Sequence, residues 1–121
     1  MTALLQFGSF KSHSGLTLPF KIECDAFTPD DWATLAQIAN QRLYWGEVEG
    51  VPEGGLAFAE ALRRYSQPDG RLMIVDDVFT TGQSMEEHRA GRDAFGLVVF
   101  ARNLVPLWIE PMFELGPSFR S

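Results

Sequence analysis

The sequence predicts an α/β domain, a mainly parallel sheet flanked by helices. Two observations carry that prediction. Short apolar runs alternate along the chain with stretches of helical periodicity, the pattern of strands joined by helical crossovers. The two most unusual loops, residues 50–55 and 76–84, each follow an apolar run. In a parallel sheet that is the edge where ligands bind. A length of 121 residues, 45% of them hydrophobic, suits one core rather than two. Residues 1–121 are therefore read as one domain, with a mixed N-terminal segment over 1–27 and an α/β core over 28–121.

Each element has its own signal. Apolar and polar positions alternate loosely through Leu18, Phe20 and Ile22, which predicts an irregular start and one short strand. Thr28-Pro29-Asp30-Asp31 opens a helix, with a capping hydroxyl, proline at the first helical position and acids in the first turn. Trp32, Leu35, Ile38 and Ala39 recur at helical spacing and extend it to about Arg42. Leu43–Val48 reads as a short strand and Gly50–Gly55 as a glycine-rich turn. LAFAEALRRY, residues 56–65, reads as a helix with Leu56, Ala59 and Leu62 on one face. Pro68, Asp69 and Gly70 mark the turn 66–70. Leu72–Val75 is a short buried strand and Gln83–Arg92 a helix. Gly96–Ala101 is a further apolar run, and Pro106–Leu115 holds a last strand.

Charge and composition exclude several classes. A formal net charge of -6 argues against broad electrostatic capture of nucleic acid or of an anionic membrane. It leaves room for a locally positive pocket. The single cysteine, Cys24, forbids an intrachain disulfide and points to a reducing compartment. No basic start followed by a long apolar stretch marks a signal peptide. A cytoplasmic protein is expected.

The chemistry concentrates in LMIVDDVFTTGQSM, residues 72–85. A carboxylate set against an apolar strand is costly unless something pairs with it. The loop after Asp76 and Asp77 carries Thr80, Thr81, Gly82, Gln83 and Ser84 between a strand and a helix. Hydroxyls, unpaired N–H groups at a helix start and a glycine that allows close backbone approach make a cradle for phosphate. The acids repel phosphate but suit ribose hydroxyls, or Mg²⁺ bound to them. Together the two halves read ribose 5-phosphate. Taken singly, the same residues would be a strand end with a capping Asp and an ordinary N-capped helix.

An apolar strand, two acids, two variable residues and Thr-Thr-Gly resemble the phosphoribosyl-pyrophosphate (PRPP) signature of the type I phosphoribosyltransferases. The resemblance implies that Asp76 and Asp77 are the catalytic acids on the ribose 2- and 3-hydroxyls, and that Thr80–Ser84 hold the 5-phosphate. FGSFKSHSGLTLPF, residues 7–20, is similar to the N-terminal segment of orotate phosphoribosyltransferases: Phe, two variable residues, Lys-Ser-Gly, then Ser-Pro and an aromatic. Phe10, Ser14, Gly15, Pro19 and Phe20 match it, while the family lysine falls on His13. By the same resemblance residues 1–27 lie on the base side, with His13 and Phe20 as base contacts. Loop 50–55 becomes the pyrophosphate loop, in which Gly54 and Gly55 offer N–H groups and Glu53 opposes the diphosphate unless Mg²⁺ bridges the two. LVVFAR, residues 97–102, is similar to the family strand whose final arginine contacts the orotate carboxylate, so Arg102 becomes the base reader.

One departure is large. The orotate enzymes carry a long mobile loop, lysine-rich and with a histidine, before the signature strand. Here only Ser66–Arg71 stands there, with Arg71 its sole cation. Such lids exclude water and bring positive groups to the leaving diphosphate. Two functions follow. The first is Mg²⁺-dependent transfer of 5-phosphoribosyl from PRPP to a pyrimidine-like base such as orotate. The second is a non-catalytic module that binds PRPP or a nucleotide. Resemblance and the aromatics Trp32, Trp45, Trp108 and Phe113 predict a homodimer. His88 is read as exposed, the Glu47/Glu49/Glu53 series as a solvated face and Cys24 as no nucleophile.

Overall fold

The computed structural model describes residues 3–11 and 17–115, with the backbone alone for 7–11 and 17–21. The chain opens with an antiparallel pair, β1 (Leu5–Lys11) and β2 (Thr17–Ile22), in which Phe7 lies opposite Phe20. The sequence signalled only the second of these strands. A short 3-10 helix, Cys24–Ala26, leads to α1 (Pro29–Arg42). The cap of α1 is as predicted. The Thr28 hydroxyl accepts from the Asp31 N–H at 3.2 Å, and the Asp31 carboxylate accepts from the Thr28 N–H at 2.8 Å.

Four parallel strands form the main sheet, in the order β3 (Val48–Gly50), β4 (Leu72–Phe79), β5 (Ala94–Ala101) and β6 (Ile109–Glu114). The remaining helices are α2 (Leu56–Leu62), which tightens into a 3-10 turn over Arg63–Tyr65, and α3 (Gln83–Arg89). All four strands end at one edge, where the loops after β3 and β4 lie.

Three boundaries differ from expectation. The strand expected over Leu43–Val48 starts at Val48 instead. Trp45 is 1% exposed, and its indole N–H donates to the Leu62 carbonyl at 3.2 Å, so this stretch packs rather than pairs. Strand β4 runs on through the acids to Phe79, because β5 keeps offering partners: Asp76 lies opposite Val98, Val78 opposite Phe100 and Phe79 opposite Ala101. Helix α3 stops at Arg89 rather than Arg92, because Ala90 and Gly91 turn left-handed with φ of 53° and 75°.

The core has two halves, one on each face of the sheet. Trp32, Leu35, Ala36 and Ala39 of α1 meet Phe58, Ala59 and Leu62 of α2 over Met73, Val75, Leu97 and Val99. Ile22 and Cys24 join this half and tie the N-terminal segment to the domain. On the other face Met85 of α3 packs with Ile74, Val98, Ala101 and Ile109. Among the described residues no helix is long and apolar enough to cross a membrane.

The connection from α2 to β4 is as short as the sequence implied. Its turn is held at both stems. The Gln67 N–H donates to the Trp45 carbonyl at 2.9 Å, and the Gly46 N–H donates to the Arg71 carbonyl at 2.8 Å. Gly46 and Gly70 lie so close that a Cβ on either would run into the other's backbone.

Candidate functional site

At the carboxyl edge of the sheet, Asp76 and Asp77 sit half-buried near the end of β4. Each carboxylate folds back along the strand. Asp76 Oδ1 accepts from the Asp77 N–H at 2.8 Å, and Asp77 Oδ1 accepts from the Val78 N–H at 2.7 Å. Burial pushes the Asp76 carboxyl up to about 8; the hydrogen bond to the Asp77 carboxyl and that group's charge add to the rise. The pair is thus an acidic site carrying less negative charge at neutral pH than two aspartates in water.

The loop 51–55 closes on this pair. It is braced by the Val51 N–H on the Val75 carbonyl and by the Gly55 N–H on the Val51 carbonyl, both at 2.8 Å. The Pro52–Glu53 peptide is cis. Gly54 is exposed and packs against the Asp77 carboxylate, where any Cβ would collide with it. One expectation is corrected here. The Gly55 N–H is spent on Val51 and is not free for a diphosphate, so of the glycine pair Gly54 alone faces the acids. Glu53 is exposed, and its carbonyl accepts the Leu56 N–H at 3.1 Å. Gly54→Ala should drive a methyl group into Asp77 and cut ribose-phosphate affinity roughly tenfold, the value of one charge-assisted hydrogen bond. Because Pro52, Glu53 and Gly54 at the loop's tip are exposed, the melting temperature should hardly move. Calorimetry beside a thermal melt checks both.

Beyond Phe79, Thr80 is half-buried and Thr81 exposed, and the Thr81 hydroxyl accepts from the Gln83 N–H at 3.4 Å. Gly82 takes φ 82° and packs on the Phe79 ring, a conformation and a space that suit only glycine. The Gln83 side chain turns along α3 to Glu87, at 3.0 Å, and Ser84 is half-buried in the first turn. Arg102 follows β5 directly, and its N–H donates to the Phe79 carbonyl at 2.9 Å. It is 7% exposed, and burial lowers its pKa. Arg102 thus lies next to the strand end from which the 80–84 loop leaves. His13 lies outside the described residues. Phe20 is described by its backbone alone, opposite Phe7.

Two features escaped the sequence. Cys24 is buried within electrostatic range of the pair: burial, and then the charges of Asp77, Glu23 and Asp76, push its thiol far up. It is a neutral thiol, and it brings the N-terminal segment beside the acids. The second is a correction. His88 is not simply exposed, and Glu49 is not on a solvated face. His88 Nε2 lies 3.0 Å from Glu49 Oε1, and Arg92 grips both Glu49 oxygens at 2.8 and 3.0 Å. These partners are too far apart in sequence for any local pattern to join them.

Among the described residues no group of three or more His, Cys, Asp or Glu could hold a metal ion. Mg²⁺ is commonly held by one or two carboxylates together with substrate phosphates, and Asp76 and Asp77 are the carboxylates that a ligand-borne Mg²⁺ would meet at this edge.

No protein-family model and no curated protein matches this sequence. Solved structures do. The orotate phosphoribosyltransferase from Aeropyrum pernix is 21% identical with a TM-score of 0.72, over 92% of this chain and 88% of that one. The enzyme from Mycobacterium tuberculosis H37Rv, solved in complex with Fe(III) dicitrate, is 13% identical with a TM-score of 0.66, over 92% and 89%. That from Francisella tularensis is 18% identical with a TM-score of 0.53, over 82% and 66%. The fold of this chain is that of the orotate phosphoribosyltransferases.

Proposed function

We propose that the chain binds PRPP and transfers its 5-phosphoribosyl group to a pyrimidine-like base such as orotate. The observation that supports this best is the half-buried pair Asp76 and Asp77 at the carboxyl end of β4, packed against Gly54 and followed by the Thr80–Ser84 loop. In this reading the acids orient the ribose hydroxyls and favour the positive charge that develops at the ribose. Thr80, Thr81, Gly82, Gln83 and Ser84 hold the 5-phosphate. The loop at Glu53–Gly55 faces the diphosphate through Gly54. Arg102, with His13 and Phe20 from the N-terminal segment, reads the base. The C1–O bond to diphosphate breaks, a ring nitrogen of the base bonds C1 and releases its proton to solvent, and diphosphate leaves with the C1–O electron pair. Mg²⁺, held by the ligand's phosphates and hydroxyls with Asp76 or Asp77, would neutralise the leaving diphosphate.

A second reading has its own observation. Only residues 66–71 separate the end of α2's 3-10 turn from β4, and they hold no lysine or histidine. Without a lid the site would bind PRPP or a nucleotide and not turn it over. Steady-state assay of PRPP consumption with orotate and a panel of other bases, beside calorimetry of PRPP binding, separates the two. Consumption with a base supports transfer. Binding without consumption supports the module, and neither overturns both.

The homodimer remains part of the proposal on changed grounds. Trp32 and Trp45 are spent in this chain's own core, whereas Phe113, Leu104, Leu107, Leu56 and Tyr44 are exposed. Light scattering at micromolar concentration should give twice the chain mass. The mass of one chain across that range would remove the dimer.

A further inference from the structure

Helix α3 has little to hold it in place. It spans 7 residues, buries only Met85 and has no side-chain N-cap. A helix that short is marginal by itself, so tertiary ties must fix its position. Beyond the packing of Met85, the described ties are polar or cation–π. Trp108 Nε1 donates to Glu86 at 2.8 Å, and the Arg89 guanidinium lies 4.1 Å from the Trp108 ring, which fastens the helix toward β6. On the other side stands Glu49. Its carboxylate takes both Arg92 nitrogens and the His88 ring, while Arg92 also donates to the His88 and Arg89 carbonyls at 2.8 and 3.0 Å. Cations at the end of α3 further suit the negative pole of the helix.

The location of Glu49 gives the clamp its meaning. Glu49 is the middle residue of β3, the strand that runs directly into the loop 51–55. Arg92 and His88 belong to α3 and its following turn, and α3 is the helix that the 80–84 loop opens. A bidentate Arg–carboxylate pair is directional and resists sliding. One carboxylate therefore couples the strand carrying the first loop to the helix carrying the second.

We propose that Glu49 is a positioning residue that, through Arg92 and His88, sets the spacing of the 51–55 and 80–84 loops, so that a ligand with phosphate groups at both ends is gripped at both. The inference rests on the proposed function and adds to it. Glu49 touches no substrate. It acts on the difference between a ligand that spans the two loops and one that reaches only the second.

That difference is the test. Glu49→Gln and Arg92→Gln are compared with the unaltered chain by calorimetry against PRPP and against ribose 5-phosphate, both with Mg²⁺. Each single variant should lose about tenfold in PRPP affinity and change less than about twofold toward ribose 5-phosphate. The double variant should lose no more than either single one, since both break the same contact. Equal losses on the two ligands, or additive losses in the double variant, overturn the positioning role alone. An unaltered chain that binds neither ligand overturns the proposed function and this role with it. Arg92 is exposed, so its variant folds even if Glu49→Gln does not, and it decides the question by itself.

Discussion

Asp76→Asn combined with Asp77→Asn should abolish ribose-phosphate binding and leave the chain folded. Asparagine keeps the shape of each side chain. Its carbonyl oxygen can still accept the neighbouring N–H, from residue 77 or from Val78, that the carboxylate accepts now. What disappears is charge, on Asp76 only above about pH 8, where burial and Asp77 no longer hold its proton, so the comparison belongs at that pH. Each hydrogen bond from a ribose hydroxyl to a carboxylate is worth roughly 1.5–3 kcal/mol, so losing both should weaken binding by more than about a hundredfold. Calorimetry on the double variant reads this directly. Unchanged affinity would make the two acids structural and remove the ribose from the site.

The second large effect is on stability, and it runs opposite to the usual carboxylate. An aspartate in an unfolded chain loses its proton near pH ~4. In the fold, burial and Asp77 hold the Asp76 proton up to about 8. Between those values the folded chain keeps a proton that the unfolded chain has released. Stability must therefore fall as pH rises through this window. Asp76→Asn has no proton to lose. The variant should be more stable than the parent at pH 8 by roughly 2–4 kcal/mol, with the gap closing toward pH 4. Urea unfolding of both proteins at the two pH values measures it. A gap that does not change with pH would show that the Asp76 carboxyl titrates as it does in water. The expected trade, stability given up where a ligand must be met, is common at binding sites.

The sequence was most legible where the signal was local. Thr28-Pro29 announced α1 because the cap lies within three residues of its partner. The acids and Thr-Thr-Gly were visible because they are contiguous in the sequence. The alternation of strands and helices was enough for the fold. The misses were non-local. The run of β4 past Val75 depends on β5 offering backbone to Asp76 and Val78, and two acids read as a strand end. The late start of β3 depends on Trp45 finding the Leu62 carbonyl. The clamp at Glu49 joins residues 39 and 43 positions away, and neither His88 nor Arg92 carries a local mark of it. Gly55 was taken as a donor because its N–H partner, Val51, is fixed by the turn's shape and not by residue type.

The turn at 67–70 has a bearing on how such a scaffold diversifies. Its stems are bolted to Trp45 and Gly46, and Gly70 leaves no slack against that strand entry. Pro68 and Asp69 at the tip are exposed. Extra chain spliced between them would meet solvent while both anchors stayed seated. The entropy of closing a longer loop rises only by about 0.6 kcal/mol per doubling of its length. A covering segment is therefore a detachable accessory here, which can be grafted or deleted without disturbing the sheet or the acids beyond it. Under the proposed function, recognition and turnover would then be separable, the first resting on the domain and the second on an insert at one tolerant joint.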